Sequence, residues 1–196
     1  MMKKSYEFGE GKWNLQDLRY AYSPACFDRV EFQQEKNCIV NRQGKSLFGY
    51  EYISLIDRAK WKIGTVITAK CSFEKFGAPL IVVTNDIKEN EKGELVYGTH
   101  FEVVAHEGGI NVWRVEPWPE RVERPTRSTL LSEKKFTIEG NTNIEIKAEV
   151  QKGKIKAWVN GEYLETDIVD LPTEEFWVGI TACEGINRFY SFEIEV

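Results

Sequence analysis

Residues 143–164 read NIEIKAEVQKGKIKAWVNGEYL, three short alternating runs separated by two turns. Side chains alternate faces along a strand. Ile144, Ile146, Ala148 and Val150 therefore fall on one side, with Glu145, Lys147 and Glu149 on the other. Lys152-Gly153-Lys154 reverses the chain, Ile155, Ala157 and Val159 return inward, and Asn160-Gly161 reverses it again. Asn-Gly between alternating runs is a strong hairpin signal, because the favoured two-residue turn needs positive φ at both positions. The stretch predicts an antiparallel meander with one buried face.

The same period recurs on either side of it. In GTVITAKCSF (64–73), Thr65, Ile67, Ala69, Cys71 and Phe73 share a face. PLIVVT (79–84) is a continuous, β-branched apolar run, which fits a strand buried on both faces. FWVGITAC (176–183) and RFYSFEIEV (188–196) close the chain, with Tyr190, Phe192, Ile194 and Val196 as the apolar row of the last strand. EYISLIDRAKW (51–61) is the one candidate for a short helix. Pro117, Pro119 and Pro125 keep 116–127 out of any central strand and predict a long surface loop. Residues 1–28, with Trp13, Leu15, Leu18, Tyr20, Tyr22 and Phe27, predict an arm or edge strand packed on the rest. Many short strands joined by polar turns indicate an all-β fold, here a two-sheet antiparallel sandwich formed as one domain over 1–196.

Composition narrows the function classes. The chain has 196 residues, 42% of them hydrophobic and 13% aromatic, enough for a sizeable core. A formal net charge of −5 argues against a nucleic-acid partner, and the arginines of PERVERPTR (119–127) are interleaved with glutamates. No run approaches the ~20 apolar residues of a membrane helix, so no membrane partner is expected. Lys3 and Lys4 are not followed by an apolar stretch, so no signal peptide is visible. Cys26, Cys38, Cys71 and Cys183 show neither disulfide-like nor zinc-like spacing. Four reduced thiols and a cytoplasmic location are the expectation, with a secreted form that has lost its leader as the alternative.

The hairpin HFEVVAHEGGINVWRVE (100–116) holds both histidines and one of the six tryptophans. Taking Gly108-Gly109 as the turn pairs His106 with Asn111, Val104 with Trp113 and Glu102 with Val115. His100, Glu102, His106, Asn111 and Trp113 then share one surface, and Phe101, Val103, Ala105 and Val112 form the core face. Indole packs on the apolar face of a sugar, while carboxylate and amide groups fix hydroxyls by directional hydrogen bonds. This surface reads as a sugar-binding floor, walled at one end by Arg114, Glu116 and Trp118; an ordinary solvated sheet face is the plain alternative. His100 and Glu102 lie about 6.6 Å apart along the strand and His106 about 20 Å from His100. Two ligands do not make a tetrahedral site, so neither metal nor cofactor is expected. No G-x-S-x-G elbow is present. Cys183 reads as a small core residue, and Gly185 as a positive-φ turn position. Trp158 and Trp177, on the parity opposite the apolar rows, fit either a ligand face or sandwich packing.

Three segments, Ile155–Leu164, Phe176–Thr181 and Arg188–Val196, resemble the concanavalin A-like lectin/glucanase superfamily, especially its laminin G-like members. There a strand ending in an Asn-Gly turn precedes a loop, a "vGi"-like strand and a terminal aromatic strand. The resemblance implies a jelly roll whose concave sheet face often binds glycans and in some branches hydrolyses them. The glucanase branch uses E-x-D-x-x-E; the nearest match is Glu165-Thr166-Asp167-Ile168-Val169-Asp170, which ends in Asp and reads as a solvated acidic loop. The galectin branch uses H-x-N-x-R and W-G-x-E-x-R. Against these stand His100-Phe101-Glu102-Val103-Val104 and Trp118-Pro119-Glu120-Arg121, which lack the Asn and Arg of the first motif and the Gly of the second. The expected function is glycan binding on a sheet face, with a saccharide as the partner and the oligomeric state open. A glycoside hydrolase pairing Glu102 with Glu116 or Glu120, and a protein-interaction domain using an aromatic face, are the rivals.

Overall fold

Alternation in the sequence becomes strand almost wherever it occurs. The computed structural model describes residues 2–25, 30–41 and 52–196; Cys26 and Phe27 lie outside them. The strands in the first half are β1 (Lys3–Glu7), β2 (Leu18–Tyr22), β3 (Gln33–Gln34), β4 (Ile39–Val40), β5 (Tyr52–Asp57), β6 (Trp61–Lys62), β7 (Val66–Phe73), β8 (Ala78–Thr84), β9 (Ile87–Glu89) and β10 (Leu95–Tyr97). Those in the second half are β11 (His100–His106), β12 (Gly109–Pro117), β13 (Thr126–Lys135), β14 (Ile144–Gln151), β15 (Lys154–Val159), β16 (Glu162–Asp167), β17 (Glu175–Cys183) and β18 (Asn187–Glu195). No helix occurs among the described residues.

Two sheets stack. The first runs β16-β15-β14-β7-β18-β4-β3, with β1 also on β18; the second runs β13-β12-β11-β8-β17-β5-β2-β10-β9, with β6 on β17. Among the described residues, pairing is antiparallel except for a single parallel bridge between β2 and β10. The main core lies between the sheets, where Ile67, Ala69, Ile146, Ala148, Ile155 and Ala157 of the first meet Ile81, Val83, Phe101, Val103, Val178 and Ile180 of the second. Asn160 at φ 50 and Gly161 at φ 89 make the expected positive-φ turn between β15 and β16.

Four expectations need correction. Residues 52–57 form a strand, not a helix: every side chain of β5 is buried, so neither face shows the polar alternation that would have marked it. In β18 a register shift between Phe189 and Ser191 turns Phe189 into the core beside Phe192 and leaves Tyr190 and Val196 out of the buried row. Glu165-Thr166-Asp167 lies in edge strand β16 rather than in a loop, with Lys154 held against Glu165 at 2.7 Å. The 116–127 loop is shorter than expected, because Glu116 and Pro117 end β12 and Thr126 and Arg127 begin β13.

A second apolar cluster lies on the outer face of the second sheet. Ala21, Tyr52, Ile56, Leu80, Val82 and Val104 are buried there, with Tyr97 of β10 packed onto them. The β9–β10 excursion is locked by Asp86, whose backbone carbonyl accepts from Gly98 N–H at 2.7 Å and whose carboxylate accepts from Thr99 N–H at 3.0 Å. Half of this outer face is thus covered, and among the described residues the other half is open.

Candidate functional site

The site hairpin turns one residue earlier than the two glycines suggest. Glu107 and Gly108 are the turn, and His106 pairs with Gly109, Val104 with Asn111, Glu102 with Trp113 and His100 with Val115. Gly109 is the first residue of β12, at φ 128, where a Cβ would stand 2.1 Å from Lys134 O of the next strand. The expected register is therefore off by two. Two residues is one full strand period, so every side chain keeps its predicted face. Phe101, at 2% exposure, points between the sheets, whereas Glu102, His106, Asn111 and Trp113 line one open cleft of about 390 Å³ on the outer face. That volume lies within the ~300–1,000 Å³ range of small-molecule sites.

Glu102 is the buried charge of the site, 7% exposed. Its Oε1 accepts from Tyr52 OH at 2.8 Å and lies 3.2 Å from His100 Nε2. His100 Nδ1 is 2.9 Å from Gly98 O, and a carbonyl only accepts, so that nitrogen carries a proton. His100 itself, 1% exposed and tilted against the Tyr97 ring at 4.8 Å, lies behind Glu102 and does not reach the cleft. It orients the carboxylate from beneath; the expectation that it lines the ligand face is corrected. Both of these contacts fall on Oε1, so Oε2 is the oxygen available to the cleft.

His106 has the opposite arrangement. Its Nδ1 accepts from Gly108 N–H at 3.1 Å, which leaves Nε2 as the ring's donor, and Nε2 is buried with no hydrogen-bond partner. An orphaned polar atom of this kind costs free energy unless water or a ligand meets it.

Arg114, Glu116 and Trp118 do not wall this cleft. Arg114 pairs with Phe101 and shares its side of the sheet, where it donates to Asp170 at 2.7 Å and to Glu116. Two-residue periodicity carries Glu116 to that same side. Trp118 lies in the exposed loop beyond, with Arg127 over its ring at 5.9 Å. Glu116 and Glu120, the carboxylates of the hydrolase alternative, are both off the cleft.

The walls come from elsewhere in the chain. Phe76, Gly77, Arg124, Ser128, Cys183 and Glu184 complete the lining. Phe76 is 65% exposed, sits at φ 66 and has Lys75 Nζ 4.8 Å from its ring centre. Gly77 and Gly185 interlock below it: a Cβ on Gly77 would lie 2.8 Å from Ile186 O, and one on Gly185 2.5 Å from Gly77 N. Gly185 has the expected positive φ of 52, and Cys183 is a half-buried cleft residue instead of a core one. Of the two undecided tryptophans, Trp177 is half-buried with Arg19 and Lys60 over its ring, and Trp158 packs against Tyr163 on the first sheet.

No protein-family model matches the chain, and no curated protein sequence does. Solved structures do. A Bacillus licheniformis β-glucanase superposes with a TM-score of 0.65 at 8% identity, over 99% of this chain and 98% of the enzyme. The exoplasmic/lumenal domain of VIP36, in its Ca²⁺/Man3GlcNAc-bound form, gives 0.60 at 9% identity over 97% and 87%. The carbohydrate-binding module CBM66 of Bacillus subtilis gives 0.56 at 11% identity over 81% and 86%. The fold is the two-sheet jelly roll that these structures share.

Proposed function

We propose that this protein binds a glycan in the open half of the outer face of its second sheet, with Trp113 and Phe76 as aromatic walls and Glu102, His106 and Asn111 as polar contacts. The observation that carries the reading is a cleft with two partly exposed aromatic rings around a buried carboxylate and an unpartnered imidazole N–H. Rings pack on the C–H faces of a sugar, Glu102 Oε2 accepts from a hydroxyl, and His106 Nε2 donates to another. That β-glucanases, lectins and a carbohydrate-binding module share the fold supports the same reading by analogy. Binding rather than hydrolysis is favoured because the carboxylates proposed to work with Glu102 lie off the cleft. We place its work in the cytoplasm as part of the same proposal, a reducing compartment that suits the buried thiols of Cys38 and Cys71.

A glycan array followed by thermal-shift titration with the mono- and oligosaccharides that register tests this. Trp113→Ala is expected to abolish detectable binding while unfolding stays cooperative. Binding unchanged in that variant, or no saccharide bound by the wild type, would overturn the proposal.

A further inference from the structure

The charges around the cleft are unequal. Among the described residues, three carboxylates line it, Glu102 on the floor, Glu107 at the β11–β12 turn and Glu184 at the opposite wall, against one guanidinium, Arg124. His106 adds no charge while its Nδ1 accepts from Gly108 N–H. The lining groups therefore sum to −2, three negative and one positive, and His100 behind Glu102, with both ring nitrogens placed as donors, brings the cleft as a whole to −1. Hydrogen-bonding capacity points the same way. A carboxylate only accepts, so whatever meets Glu102 Oε2 must bring a donor. A sugar carboxylate or sulfate brings only acceptors, and two acceptors face to face leave a buried charge unpaired at substantial cost. A hydroxyl can donate. A protonated amine donates three times and carries the complementary charge.

We infer that the cleft discriminates by charge, selecting glycans that carry free amino groups, accepting neutral ones and rejecting uronic acids and sulfated sugars. This rests on the glycan-binding reading of the same cleft. Glu107 and Glu184 set the long-range part, since both are exposed at its rim. Glu102 sets the short-range part, held in place by Tyr52 and His100.

The test is titration calorimetry with four oligosaccharides of equal length, built from glucosamine, N-acetylglucosamine, glucose and glucuronic acid, each in about 50 mM and about 500 mM salt. A net charge of −1 acting on about two ligand charges across a wet cleft amounts to about tenfold in Kd at low salt, and screening shrinks it at high salt. The glucosamine oligomer is expected to bind about tenfold tighter than the glucose oligomer, and the glucuronate oligomer at least tenfold weaker. The double variant Glu107→Gln with Glu184→Gln changes two exposed side chains without altering their size. It should remove most of both gaps, read as Kd ratios to the glucose oligomer on the same variant. Glucuronate binding as tightly as glucose, or gaps that ignore both salt and the double variant, would overturn the inference while leaving the glycan reading standing. Failure of all four to bind, with none found on the array, would overturn the reading itself and this inference with it.

Discussion

Phe76 is a position where stability and function should separate. It holds a bulky side chain at φ 66, in the left-handed region, with its ring 65% exposed. For a non-glycine residue that conformation costs about 1–2 kcal/mol, and asparagine tolerates it because its short amide bonds locally. Replacing Phe76 by Asn relieves most of this strain and gives up the Lys75 contact at 4.8 Å, which at an exposed site contributes about 0.5 kcal/mol. Phe76→Asn should therefore stabilise the fold by about 0.5–1 kcal/mol, roughly 2 °C in Tm for a chain of this size. Phe76→Ala removes the ring without removing the strain, so it should be neutral or slightly destabilising. Both variants lose an aromatic wall of the cleft, at about 1 kcal/mol or about fivefold in Kd for the best-binding saccharide. Urea denaturation of the three proteins, with calorimetric titration on the same samples, reads both effects. If the Asn variant is no more stable than the Ala variant, the strain argument is wrong. If both bind sugar like the wild type, Phe76 is not a wall.

Three further outcomes follow from the geometry. Phe101→Ala should destabilise by about 3–5 kcal/mol by urea denaturation, because the ring fills space between the sheets at 2% exposure. Asp57, fully buried, accepts from Tyr6 OH at 2.6 Å, Ala59 N at 2.6 Å and Lys4 Nζ at 3.0 Å, so it ties β1 of one sheet to β5 of the other. Asp57→Ala should cost about 2–3 kcal/mol in the same assay, less than a fully buried ion pair would because Lys4 is 30% exposed and can turn to water. Burial and the nearby Glu35 push the Cys38 thiol up to about 11, and burial pushes Cys71 higher still. Both therefore stay protonated and slow to alkylate at pH 8 in the folded state. Iodoacetamide with peptide mapping should leave both unmodified in the folded protein and label both once urea unfolds it; ready labelling of either without denaturant would count against their burial.

What could be read from the sequence and what could not divide along a physical line. Wherever one face of a strand is buried and the other wet, the period of two is written locally; hence Ile144–Val150, Thr65–Phe73 and the two faces of 100–113 came out correctly. The face assignment survived even a misplaced turn, since a register error of two restores the same parity. β5 could not be recognised because both its faces are covered, Ile53 and Leu55 by the core and Tyr52, Ser54 and Ile56 by the outer cluster and Tyr97. Parity could name the floor of the cleft but not its walls. Phe76 and Glu184 reach it through the interlocked Gly77–Gly185 contact, and Arg124 through the β12–β13 loop.

The same line explains the errors at the site. Proximity in sequence joins Arg114, Glu116 and Trp118 to the floor, yet one step along a strand reverses the face, and Arg114 reaches Asp170 on the far side instead. His100 had the right parity and still missed the cleft, because Tyr97, three residues earlier, folds over it. On this sheet, parity decides which side a residue faces, but the excursion covering half of that side decides whether it meets solvent. Glu102 lies at the boundary. Its Oε1 belongs to the covered cluster of Tyr52 and His100, and its Oε2 to the open cleft. A carboxylate fixed by buried donors on one oxygen, with the other turned to the cleft, meets a ligand with little left to reorganise. On the glycan-binding proposal, that placement makes Glu102, more than either histidine, the polar anchor of the cleft.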